Sequence, residues 1–121
     1  MTVNKRIVIV CRRAPYGDSL SREALDIALA SAVFDQQLAM AFIGDGVWQL
    51  LKQQDSGPIA AKNHGKLSTA LPLYDINDIY IDSESMRQRN IATEDLCVAA
   101  KPSDRESLTA LMERADIILN F

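Results

Sequence analysis

Cysteine, histidine and tryptophan are scarce in this sequence, with two, one and one of them in 121 residues. Two cysteines cannot build the dense, evenly spaced disulfide framework of a small secreted domain, so Cys11 and Cys97 are expected as reduced thiols. The one histidine, His64, stands beside Gly65 with no Cys, Asp or Glu at ligand spacing, and a surface imidazole is a simpler reading than a metal ligand. No metal and no cofactor are expected. Long apolar runs are missing as well. The longest, Leu38 to Ile43, falls far short of the roughly 20 residues that a membrane-spanning helix requires. Met1 to Arg6 leads straight into a β-like run without the apolar stretch and cleavage site of a signal peptide, and the chain is expected to be cytoplasmic. An excess of positive charge is also absent. A formal charge of -3 and a pI near 5.0 provide no general attraction for phosphate backbones, which argues against direct nucleic-acid binding. The sequence contains no P-loop, no G-x-G-x-x-G string and no nucleophile elbow that would support a Ser/His/Asp relay.

What is present is ordinary globular material. Hydrophobic residues make up 48% and charged residues 24%, far from the composition of disordered chains, and the length suits one domain over residues 1–121. Lys5 to Cys11 (KRIVIVC) reads as a strand covered on both faces. A turn-rich loop, Arg12 to Ser19, leads to a helix from Leu20 to Phe34, whose apolar stripe carries Ala24, Leu25, Ala28, Leu29, Ala32 and Val33. Leu38 to Ile43 is a second buried strand, stopped by Gly44, Asp45 and Gly46. Val47 to Lys52 follows as one or two helical turns.

Gly57 and Pro58 close that piece, and a helix is expected from Ala60 to Leu71 despite Gly65, with Pro72 disfavouring its continuation. Ile79 to Asp82 is a third strand. Glu84 to Arg89 forms a short helix capped by Ser83, and Leu96 to Ala99 (LCVA) a fourth strand. Pro102 punctuates. Ser103 and Glu106 fit a capping box ahead of Leu108, Leu111, Met112 and Ala115, which lie on one helical face, and Ile117 to Leu119 closes the chain as a fifth strand. Such alternation predicts a five-stranded, mostly parallel sheet in a three-layer α/β/α, flavodoxin-like fold.

Ligands in open α/β sheets gather beyond the carboxyl ends of the strands, which directs attention to four loops. Arg12, Arg13 and Tyr16 after the first strand are candidates to hold an anion, although a solvated loop also explains them. Cys11 reads either as a buried small hydrophobe or as a thiolate activated by the neighbouring arginines. Cys97, inside LCVA, reads as an inert core thiol. Gly44-Asp45-Gly46 reads as a tight turn rather than a phosphate loop. Trp48 and the nearby Leu51 suit a core position and an interface anchor equally.

Several strings together resemble one known family: Ala14-Pro15-Tyr16-Gly17, Arg22-Glu23-Ala24-Leu25-Asp26, Gly44 through Leu51 (GDGVWQLL), Leu73-Tyr74-Asp75-Ile76 and Asp116 through Phe121 (DIILNF). In order and spacing they are similar to the TusC/DsrF branch of the DsrE/DsrF-like sulfur-relay family, over essentially the whole chain. GDGVWQLL and LYDI are the most specific. The resemblance implies a non-catalytic subunit beside TusB-like and TusD-like sisters in a dimer of heterotrimers. That complex takes sulfur from a TusA-like donor and passes it to a TusE-like acceptor, toward 2-thiouridine at tRNA wobble positions. In sulfur-oxidising bacteria the related Dsr complex serves the oxidation of stored sulfur. The relay cysteine of active relatives lies just after the third strand, and the matching position here is Asp82. A carboxylate cannot carry a persulfide, whose transfer requires sulfur attacking sulfur. Asp82 is an alternative cap for the short helix. Trp48 and Leu51 become candidates for the surface that meets the sisters. The competing reading makes the chain a persulfide carrier in its own right through Cys11. An anion- or nucleotide-binding domain built on the strand-one loop rests on fold analogy alone.

Overall fold

The computed structural model describes residues 5–14, 20–32, 37–51 and 69–121. Strand β1 (Arg6–Cys11) is buried from Val8 onward, as its unbroken β-branched run requires. Helix α1 (Leu20–Ala32) returns the chain to β2 (Gln37–Phe42), which is buried from Leu38 onward. A 3-10 helix (Gly44–Leu50) follows, starting at the glycines that were expected only to stop the strand. After a second 3-10 helix (Leu71–Tyr74) come β3 (Asp78–Asp82) and α2 (Ser83–Gln88). A 3-10 turn (Thr93–Asp95), β4 (Lys101–Ser103), α3 (Arg105–Glu113) and β5 (Ile117–Asn120) complete the chain.

The sheet has the order β4-β3-β2-β1-β5, and every neighbouring pair is parallel. Steps from β1 to β4 move one way across the sheet, whereas the step to β5 returns to the far side of β1. Right-handed crossovers therefore put α1 and α2 on one face and α3 on the other. The apolar side chains divide accordingly. Ile9, Met40, Phe42, Ile79 and Ile81 pack with Ala24, Leu25 and Ala28 of α1 and Met86 of α2. On the opposite face Val8, Val10, Ala39 and Ala41 meet Leu108 of α3, with Leu111 and Met112 at the margin. This is the expected three-layer α/β/α fold. Burial of each large aliphatic or aromatic side chain in it stabilises by about 1.5–3 kcal/mol.

Several elements differ from expectation. The fourth strand is Lys101–Ser103, not Leu96 to Ala99; Leu96 makes only an isolated antiparallel bridge with Leu51 and buries its side chain in the α1-side core. Pro102 belongs to the strand because β4 is a sheet edge, where a missing N–H costs no ladder bond. The cap of α3 is Asp104, whose carboxylate accepts from the Ser107 amide at 2.8 Å. Ser103, the expected cap, is instead paired with Asp82 across the sheet. Leu71–Tyr74 forms a 3-10 helix with Pro72 in its first turn, where proline is tolerated. Most of the helix expected from Ala60 to Leu71 lies outside the described residues, as do Val33, Phe34, Gly57 and Pro58.

Candidate functional site

The carboxyl ends of β1, β2 and β3 lie side by side, and the segments leaving them are joined by specific contacts. Gly46, in the 3-10 helix after β2, sits against the end of β1. A Cβ there would come within 1.9 Å of the Cys11 carbonyl oxygen, so only glycine fits. Gly44 begins the same segment with φ +58°, a left-handed conformation that glycine adopts at little cost. Gln49 is fully buried and donates from its side-chain amide to the Arg13 carbonyl at 2.7 Å, tying the segment to the loop after β1.

Cys11 itself is 1% exposed. Burial pushes its thiol up to about 12, and no neighbouring cation offsets that. The direction favours the neutral thiol over the thiolate, which makes this sulfur a poor nucleophile. Arg12 and Arg13 are exposed and do not activate it. Cys97 departs from its expected place: it lies half-buried in a bend, outside any strand, with its amide donating to the Leu50 carbonyl at 2.7 Å. Tyr16 and His64 lie outside the described residues. Among the described residues no three His, Cys, Asp or Glu side chains gather as a metal site.

Asp82 ends β3 and caps α2, which begins one residue earlier than expected; the cap is Asp82, not Ser83. Its Oδ2 accepts from the Ser85 amide at 3.2 Å and from the Ser85 hydroxyl at 2.5 Å. The Ser85 oxygen in turn accepts from the Gly44 amide at 2.9 Å. A second link runs through Arg89, which donates to the Ser85 carbonyl at 3.1 Å and to Asp45 at 3.0 Å. Buried Ser85 closes the Asp82-to-Ser85 segment to which the strand ends direct attention, but no apolar or motif signal gave it a role.

Trp48 and Leu51 are half-buried. Each packs one side against the α1-side core, and each also lines an open groove of about 450 Å³ together with Arg89, Asn90, Ile91, Glu94 and Asp95. Core and groove therefore share these two side chains.

The model of the DsrE/DsrF-like family matches residues 5–121. This chain belongs to the DsrE/DsrF-like family. Among its DsrE/DsrF-like relatives, a TusC homolog from Pseudomonas aeruginosa is 33% identical over 98% of this chain and 100% of its own length. The intracellular sulfur oxidation protein DsrF of Allochromatium vinosum is 31% identical, covering 98% of both chains. The crystal structure of the ychN protein from E. coli superposes with a TM-score of 0.85 at 24% identity, covering 97% of this chain and 99% of that one, a likeness of fold. Among the described residues no helix is long and apolar enough to cross a membrane.

Proposed function

We propose that this chain is a non-catalytic subunit of a sulfur-relay complex that moves sulfur as protein persulfide toward 2-thiouridine formation at tRNA wobble positions. Its partners are TusB-like and TusD-like sisters in a dimer of heterotrimers, with a TusA-like donor and a TusE-like acceptor acting through them. It works in the cytoplasm and makes no direct contact with nucleic acid. Relatives named TusC and DsrF support the setting. The observation that carries the non-catalytic role is Asp82, which stands where the family resemblance puts the relay cysteine and spends its carboxylate on α2 and Ser85. Oxygen there cannot form or pass on a sulfur–sulfur bond. Cys11 is no substitute, because transfer requires an accessible thiolate and burial both closes this thiol off and pushes its pKa up. Trp48 and Leu51, half-buried and lining the groove, supply apolar surface for the sisters.

The test is sulfur transfer by the reconstituted complex. Cys11→Ala and Cys97→Ser are expected to retain the rate, and a loss beyond about tenfold in either would overturn the reading. Whole-protein mass after incubation with a persulfide donor addresses the competing carrier role, for which the expected result is no sulfur adduct on Cys11.

A further inference from the structure

The bonds around Asp82 extend beyond what a helix cap requires. An N-cap needs only a side-chain oxygen accepting an amide of the first turn, which Asp82 provides to Ser85. The same oxygen also accepts a hydrogen bond from the Ser85 hydroxyl and so leaves the hydroxyl oxygen facing the Gly44 amide. Gly44 lies two residues past the end of β2, where the backbone turns, with positive φ, into the 3-10 helix that carries Trp48. Arg89 fastens the next residue, Asp45, to the Ser85 carbonyl, and the same Arg89 lines the groove beside Trp48 and Leu51. Two residues at the head of one segment are thus bound to one residue of α2, and Asp82 orients that residue.

We propose that Asp82 is a positioning residue: acting through Ser85, it holds the Gly44–Leu50 segment in the shape that presents Trp48 to a sister subunit. This rests on the docking role given above to Trp48 and Leu51. The position that carries sulfur in active relatives here shapes a contact surface, and the carboxylate serves as a fixed double acceptor. The chemistry suits it, since a charged acceptor makes shorter and stronger bonds to N–H and O–H donors than a neutral one. A partly buried hydroxyl that both donates and accepts is held in one rotamer, which transmits the constraint to Gly44.

Trp48 is the chain's only tryptophan, so its fluorescence reports on this segment alone. Ser85→Ala retains the cap from Asp82 to the residue-85 amide and removes only the bridge to Gly44. Asp82→Ala removes the cap and the acceptor that orients the Ser85 hydroxyl toward Gly44. Asp104→Ala removes the corresponding cap of α3, which has no link to Gly44, and serves as the control for loss of capping alone. In the full chain, acrylamide quenching of Trp48 is expected to rise about twofold in Ser85→Ala and Asp82→Ala, the scale expected when one bond of this kind no longer limits local opening. Asp104→Ala should remain at the parent value. Quenching unchanged in either Ser85→Ala or Asp82→Ala, or raised equally in Asp104→Ala, would overturn the proposal. In assembly with TusB-like and TusD-like subunits, Ser85→Ala should weaken binding about fivefold, and adding Trp48→Ala should cost less than it does alone, because the two act on one surface. Full additivity overturns the link between strap and surface. Parent-like assembly by Trp48→Ala overturns the docking role instead, a failure that the fluorescence of the isolated chain tells apart from failure of the strap.

Discussion

Asp82 stands at the end of β3 and caps α2, while Asp104 follows β4 and caps α3. Each accepts the amide three residues on, at 3.2 and 2.8 Å. Their surroundings differ. Asp104 is exposed, and its bonds stay within its own turn. Asp82 is half-buried and connects through Ser85 and Gly44 to the neighbouring strand end. The same capping residue is thus a local device at the sheet edge and a tertiary device near the sheet centre, because Asp82 bonds a hydroxyl that itself meets a second chain segment, whereas Asp104 bonds Ser107 of its own turn.

The contrast is open to attack on a descending scale. The harshest intervention is Gly46→Ala in the segment that Asp82 holds. Its new methyl would meet the Cys11 carbonyl at 1.9 Å, and chemical denaturation should show a loss of about 3 kcal/mol or more. Tolerance of that methyl would mean that the segment is not pinned against β1. Next comes Asp82→Ala, expected to cost about 1–2 kcal/mol for the lost cap and hydroxyl bond, with a larger drop in Tm than Asp104→Ala. Equal drops would erase the difference between the two caps.

A milder probe is acid. The Ser107 amide, with its hydroxyl adding to the effect, holds the Asp104 carboxyl below the ordinary carboxylate range. Its folded value is thus lower than its unfolded one. The stabilisation it provides is complete above the unfolded value and is lost as pH falls through the folded one. Parent protein and Asp104→Asn should therefore differ in Tm at neutral pH and converge in strong acid. A gap independent of pH would remove the charge from the explanation. The smallest effect is expected from Arg87→Gln. Arg87 pairs with Glu84 on the open surface of α2, and water competes with such pairs; Tm should move by no more than about 1 °C.

Much of the fold was legible because it follows from periodicity. KRIVIVC and LAMAFI could only be buried strands, and Ala24, Leu25 and Ala28 marked the inward face of α1. The errors lay where tertiary position overrides local preference. LCVA looks like a strand, yet its leucine fills the core from a loop, while KPS, with a proline at its centre, pairs as the edge strand. At the candidate site the sequence pointed to Asp82, Cys11, Trp48 and Leu51 as individual residues. It placed Ser85 only within the loop after β3 and gave it no role, since a serine in a polar hexapeptide looks the same whether it faces water or bridges two strand ends.

The sequence by itself determined the alternation of strands and helices, the apolar face of α1, the scarcity of histidine and cysteine and the presence of a carboxylate after β3. These depend on residue type and on spacing within one element. Only the tertiary structure decided that the thiol at the end of β1 is closed off, that Gly46 must lack a side chain and that Asp82 reaches Gly44 through Ser85. Burial and long-range hydrogen bonds are properties of what another part of the chain brings alongside, and in a parallel sheet the neighbours at a strand end arrive from distant positions.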